Sequence, residues 1–417
     1  MLAGRYRWVI CGLLFLGVTK NYMDRSVLGA LKIPLQHQFG WNDVDYGNLV
    51  TAFQMAYAIG MLAMGRLIDK LGTRIGYAVA MVFWSLASMG HALANSLVGF
   101  GIARFCLGFG EAGVFPASIK SVAEWFPRKE RALATGIFNA GTNVGAIAAP
   151  LIVPPITNHL GWRWAFILTG VLGFAWLVLW LTFFRKPEDH ASCTPEELQY
   201  IRSDSGPAAT NIAWSHLLPY RQTWAIVFGK FLSDPVWWFY LFWIPDYLQR
   251  EHGVRFGQIG WPIAVIYIIS DLGSVGGGWL SSALLHRGLS VNAARKWAMF
   301  ACALCALPVA GLFRVSGLWP SVILIGVAAA GHQGFSSNLL TLPSDLFPSR
   351  AVASVGGMGG MAGAVAGMLI AQVVGHVLQR TGNYTIPFFF AASAYLFALL
   401  AVHLLSPKLS PAQIADA

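Results

Sequence analysis

Twelve stretches of about twenty mostly apolar residues run along this chain, at approximately 8–30, 46–66, 75–94, 97–118, 131–153, 163–184, 224–246, 259–281, 296–313, 318–340, 352–376 and 385–405. No other feature restricts the fold as much. About twenty such residues are needed for a helix to cross the hydrocarbon of a bilayer, where only helices or closed barrels satisfy every backbone polar group. Charged residues make up 11% of the chain, against about 25% in soluble domains. That is too few to hydrate the surface of a 417-residue globule. The expectation is an all-α membrane protein of twelve transmembrane helices. The longest polar interval divides the spans six and six. It predicts an N-terminal half over 1–184, a cytoplasmic linker over 185–222 and a C-terminal half over 223–417. Within the linker, "TPEEL" predicts a short helix with Thr194 as its cap and Pro195 at its first position.

The formal net charge of +10 is spread over many loops and forms no run of five or more Lys/Arg, so no nucleic-acid partner is expected. Placing the N-terminus, the even-to-odd loops and the C-terminus in the cytoplasm puts eighteen Lys and Arg on that side and six on the other. This threefold bias predicts that both termini are cytoplasmic. The N-terminal "MLAGRYRWVICGLLFLG" has no small-residue cleavage site and is expected to remain as the first span. Five scattered cysteines imply no disulfide framework. The sequence shows no metal-ligand cluster, nucleotide-binding motif or nucleophilic triad. Neither an enzyme nor a metal or other cofactor is therefore expected.

Charges in the middle of a span are costly and need a partner or a function. Span 1 contains "TKNYMDRSV", with Lys20, Asp24 and Arg25. Lys20 and Asp24, four residues apart, can neutralise each other. Arg25 lies about 100° away and is left to hold a carboxylate in its planar fork. Span 4 places Arg104 and Glu111 on one face, roughly 10 Å apart along the axis. Glu111 is expected to alternate between a protonated state and a cation-paired state. Span 7 adds Lys230, Asp234 and two adjacent indoles, Trp237 and Trp238, which either stack on a sugar's C–H face or pack against neighbours. Asn139 and Asn143 share a face of span 5, and Gln333, Ser337 and Asn338 make span 10 rich in hydrogen-bonding groups. Between spans 2 and 3, "GRLIDKLGTR" sets out a gating loop. There Gly65 is expected to let helices approach and Asp69 to cap or pair with a helix end. Lys70 and Arg74, with Gly72 between them, keep the loop on the cytoplasmic side. "GGMGGMAGAVAG" (356–367) lacks the Lys-Ser/Thr of a phosphate loop and predicts close helix packing.

Together "NYMDR", "GRLIDKLG", "RFCLGFGEAGVFPASIKSVAEWFP", "GIFNAGTNVGAIAAPLIVP", "KFLSDPVWWFYLFWIPDYL" and "HQGFSSNLLTLPSDLFP" resemble the anion:cation symporter branch of the major facilitator superfamily, in particular its hexuronate carriers. The likeness covers nearly the whole chain. It implies proton-coupled import of glucuronate or galacturonate across a bacterial inner membrane by alternating access, around a cavity between two six-helix halves. It assigns coupling and anion binding to Tyr22, Asp24, Arg25, Arg104 and Glu111, and substrate contact to Tyr57. Thr142 stands near a position that is glutamine in a galactonate-type relative, which points to a ring-form uronate.

The full expectation places the sugar carboxylate on Arg25 with Lys230 assisting. The hydroxyls meet Tyr22, Tyr57, Asn139, Asn143, Gln333, Ser337 and Asn338, against a wall of Trp237 and Trp238. Protons load on Asp24 and Glu111, beside Arg104. The partners are a small sugar acid, protons and the lipid bilayer, and a monomer is expected. A carrier of another sugar acid, an aldonate or glucarate, is the alternative. A membrane sensor that binds without transport is a further one, for which the tail "SPKLSPAQIADA" is short.

Overall fold

In the computed structural model the described residues are 5–203 and 214–413; the side chains of Leu62, Asp69, Arg128, Lys129, Ala132, Trp214, Ser349, Arg350 and Ala353 lie outside them. Among the described residues there are twelve long helical segments. They are α1 (Tyr6–Ala30), α2 (Asp43–Ile68), α3 (Lys70–Leu93), α4 (Leu97–Trp125), α5 (Arg128–Leu160), α6 (Trp162–Phe183), α7 (Arg221–His252), α8 (Gly260–His286), α9 (Val291–Arg314), α10 (Leu318–Leu346), α11 (Ser349–Thr381) and α12 (Thr385–Leu405). Among the described residues, ten segments are long and apolar enough to span a membrane. The two long helices outside that set are α1 and α7, the ones interrupted by Lys-Asp pairs. Leu86, Val98, Ile102, Trp261, Leu272, Val275 and Trp279 are exposed apolar side chains of the kind that face lipid.

Local chemistry sets the boundaries. Asn42 caps α2 by accepting from Asp45 N–H, and the Asp45 carboxylate accepts from Asn42 N–H in return. At Gly72, inside the first turn of α3, the backbone takes φ 75° and ψ 161°, which glycine adopts without strain, and this kinks the helical run Asp43–Gly90. Helical hydrogen bonding in α4 breaks after Glu111 and resumes at Val114.

The chain forms two compact units, Met1–Pro207 and Ala208–Ala417. One pairing scheme recurs inside each. In the first, α1 packs on α5 and α6, and the α2–α3 pair packs on α4 and α6; in the second, α7 packs on α11 and α12, α8 on α10, and α9 on α12. Glycines make the first of these pairings close. A Cβ on Gly141 would stand 2.6 Å from Phe15 O, and one on Gly145 would stand 2.8 Å from Met23 N. In the second unit a Cβ on Gly363 would be 2.9 Å from Asp234 Cγ, and one on Gly367 would be 2.8 Å from Trp238 Nε1. The glycine-rich stretch of α11 is thus a packing surface, as its sequence predicts.

The "TPEEL" helix forms over Pro195–Arg202 with Thr194 Oγ1 accepting from Glu197 N–H. Its buried Glu197 carboxylate accepts from the N–H groups of Tyr6 (3.1 Å) and Arg7 (3.2 Å), the first two residues of α1, and from Arg7 Nη1 (3.1 Å). Arg7 Nε also donates to Glu130 at 2.9 Å, and Tyr200 OH donates to the other oxygen of Glu130 at 2.8 Å. The start of the linker is therefore fastened to α1 and α5. Nearby, the Arg202 guanidinium holds the exposed Glu188 carboxyl below its ordinary range.

Candidate functional site

The mid-span charges of the first unit come together. Lys20 and Asp24 form an ion pair along α1, and Lys20 Nζ donates to Ser85 Oγ at 2.9 Å beneath the Trp84 ring. On the next face of α1, Arg25 donates from Nε and Nη2 to Glu111 Oε2, both at 3.0 Å, and from Nη2 to Asn21 Oδ1 at 3.3 Å. The rings of Tyr22, Phe53 and Tyr57 surround its guanidinium with centroids 4.5, 5.1 and 4.8 Å away. Side chains of both Arg25 and Glu111 are wholly buried.

This corrects one expectation from the sequence. Arg25 is not left open, because Glu111 reaches it from α4. The physical reason is reach: Arg104 and Glu111 lie two turns apart on one helix, too far to touch, whereas α1 presents Arg25 directly to Glu111. Arg104 is the open cation instead. It is completely buried, its carbon Cζ lies 4.5 Å from the Phe53 ring centroid, and none of its three guanidinium nitrogens has a hydrogen-bond partner among the described residues.

Sequence reasoning missed Gln54 and Asn21. Gln54, on α2 one turn before Tyr57, is fully buried, and both its amide atoms lack partners among the described residues; Asn21 Nδ2 and Glu111 Oε1 do too. Buried polar groups nearly always find a partner in protein or water, and these atoms have none in the protein among the described residues. The signal available was an amide in the apolar run "TAFQMAYAIG". Asn143 is buried whereas Asn139 is exposed, so the two differ in surroundings although they share a face.

In the second unit Lys230 and Asp234 pair at 2.7 Å. Trp237 stacks on His332 (5.2 Å, 13°) and meets the edge of Tyr267 at 5.7 Å, while Trp238 stacks on Phe242 at 6.0 Å. His332, unmarked by the sequence reading, shares a 3.0 Å hydrogen bond with Tyr395 OH. The indoles expected to form an open wall are thus set among other rings. Asn338 Nδ2 donates to the carbonyls of Gly277 (3.0 Å) and Gly334 (2.9 Å), and Ser337 donates to Gly334 O at 3.1 Å. These two serve the close α8–α10 contact. Gln333 is half-buried.

In the stretch that joins α2 and α3, Arg74 donates from Nη2 to Leu181 O, and its own carbonyl accepts from Trp180 Nε1 at 3.0 Å. Lys70 is exposed, and the expectation for the Asp69 side chain lies outside the described residues. Gly65 does not make the close contact expected of it. Nothing described lies within 4 Å of where its Cβ would be, and the close approach falls at Gly60 instead, 2.7 Å from Phe109 O. No group of three His, Cys, Asp or Glu able to hold a metal occurs among the described residues.

A model of the Major Facilitator Superfamily matches residues 14–371. The chain belongs to that superfamily. Its likeness to known superfamily members extends over most of its length. It is 33% identical over 404 residues to the hexuronate transporter of Escherichia coli K12, covering 95% of this chain and 91% of that one. It is 35% identical over 293 residues to the galacturonate transporter of Dickeya chrysanthemi, covering 69% and 84%. Among solved folds, a bacterial homolog of the human lysosomal transporter Spinster superposes with a TM-score of 0.76 at 18% identity, covering 97% of each chain. Superfamily membership makes the protein a multi-pass membrane transporter and not an enzyme.

Proposed function

We propose that this transporter is a proton-coupled symporter that imports hexuronates, glucuronate and galacturonate, across a bacterial inner membrane by alternating access, with both termini in the cytoplasm. The observation that carries this reading is a charge imbalance. In the mid-span cluster of the first unit, Lys20, Arg25 and Arg104 are three buried cations, and Asp24 and Glu111 are two buried carboxylates. The surplus positive charge is costly in a low-dielectric interior. That surplus attracts a monoanion to the open fork of Arg104, and a proton taken up by Glu111 with it leaves the net charge of the cluster as it was. The names of the two relatives supply the class of anion, a uronate.

Coupling follows from Glu111. While ionised it occupies Arg25; once protonated it releases that guanidinium, which then joins Arg104 in holding the substrate carboxylate. Proton and anion are thereby taken up together, and deprotonation returns Glu111 to Arg25 and expels the anion. Asp24, tied to Lys20, is the second acid of the set. Tyr22 and Tyr57, already ranged around Arg25, form the wall of this site.

The test is labelled glucuronate with purified protein in proteoliposomes. Exchange without a gradient, and accumulation under an inward proton gradient, are expected. Exchange of an aldonate or aldarate in place of both uronates would assign the other substrate class. No exchange of any sugar acid would overturn the reading.

A further inference from the structure

In each unit the chain leaving the sixth helix folds back onto the first and fourth helices of that unit. In the first unit this is the linker. Trp125, the last residue of α4, donates from Nε1 to Arg185 O at 3.0 Å, and the N–H groups of Tyr6 and Arg7 at the start of α1 are held by Glu197. In the second unit it is the segment 406–413, which follows α12. Gln222 on α7 donates from Nε2 to Ser410 O at 3.3 Å, and Tyr220, just before α7, donates from its OH to Gln413 O at 3.2 Å. Ala412 N–H donates at 2.8 Å to the carbonyl of Leu346, the last residue of α10. Lys296 on α9 holds the near end of the segment, donating to Ser406 O at 2.9 Å and to Pro407 O at 2.6 Å. Leu409 is 5% exposed and sits at φ 43°. A leucine keeps that left-handed backbone only where its surroundings hold it there. The segment is docked as a strap.

The fourth helix is interrupted in each unit. α4 breaks after Glu111, and α10 breaks between Leu339 and Leu342, where Pro343 has no N–H to offer Leu339 O. Beyond each break lies a shorter piece, Val114–Trp125 or Leu342–Leu346, whose direction the preceding helix does not fix. In both units the strap bonds to the far end of that piece. We propose that residues 406–413 are a latch that carries the Leu342–Leu346 piece with α7, so that α10 bends at 340–341 only when the latch is released. Arg295 on α9, paired with Asp345 at 2.9 Å, is a second tie on the piece and stays in place when the strap lifts. The linker joins Val114–Trp125 to α1 in the same manner, and so couples the two helices that bear Arg25 and Glu111. The inference goes beyond the proposed function and depends on no particular substrate.

The experiment is amide hydrogen exchange of the full-length protein in detergent, read on peptides covering 342–347. There the Asp345 and Phe347 amides are closed by single bonds to Thr341 O and Pro343 O. The variants are L409D, a deletion of 407–413, and the milder pair Y220F/Q222A, each with its melting temperature recorded. L409D and the deletion are expected to exchange about tenfold faster at 342–347, and Y220F/Q222A about threefold faster, with 318–335 of α10 unchanged in all three. Wild-type exchange at 342–347 in a folded L409D or deletion protein overturns the proposal. Exchange that rises equally throughout α7 to α12 also overturns it, because the segment is then a general support and not a latch. If neither of those variants folds, Y220F/Q222A decides alone by the same two criteria. The readout uses no ligand, so a failure of glucuronate to bind would count against the proposed function and leave this result standing.

Discussion

Arg104→Met separates a binding cation from a structural one, because the two roles predict opposite effects on stability. Removing an arginine that serves the fold should destabilise it. Arg104, however, is fully buried with its guanidinium nitrogens unmet among the described residues. Desolvation of such an ion costs several kcal/mol. Against this stands the contact with Phe53 at 4.5 Å, for which about 1–2 kcal/mol is a reasonable value in a dry site. Methionine fills a similar length without the charge, so the substrate-free protein should gain about 1–3 kcal/mol. Binding should move the other way. Two charge-assisted hydrogen bonds to a carboxylate, each about 1.5–3 kcal/mol, place the loss of glucuronate affinity at about 100-fold or more. The assay is a thermal melt of purified protein with and without glucuronate, beside a binding isotherm. A variant that melts below wild type yet keeps its affinity would refute the argument.

Three other outcomes are expected. Glu111→Gln should retain glucuronate counterflow and lose accumulation driven by a proton gradient, since a permanently neutral group leaves Arg25 available; proteoliposome uptake with and without the gradient checks this. Arg25→Ala should lower stability by about 3–5 kcal/mol by stranding a buried carboxylate, and a second change, Glu111→Gln, should recover most of that in a melt. Trp237→Leu should weaken cyclic glucuronate and open-chain galactonate alike, because its indole is packed between His332 and Tyr267; competition binding would show a selective loss if an open stacking face were present instead.

The twelve spans were legible because length and lack of charge along one chain determine them. Which residues of different helices meet was not. Sequence spacing measures distance along a helix, so it showed that Lys20 reaches Asp24 but could not show that α4 brings Glu111 to Arg25. The same blindness placed close packing at Gly65 when the contact is made at Gly60. Gln54 was passed over because one amide in an apolar run carries no sign of whether its partner is a neighbour or a substrate. The glycines of α11 were read correctly, since a phosphate loop and a packing surface differ in their flanking residues. The short linker helix was likewise foreseen from its cap and proline. Its attachment to the start of α1 was not, as nearly the whole first unit separates the two in sequence.

That attachment has a consequence in time. Tyr6 and Arg7 leave the ribosome long before Glu197, which accepts from both their N–H groups and lies 191 and 190 residues later. During synthesis the leading end of α1 therefore waits, unfinished, while five more helices are inserted behind it. The clasp closes only when the first unit is whole, and a nascent chain stopped at residue 184 would lack it. That turn is made before five other helices and secured after them.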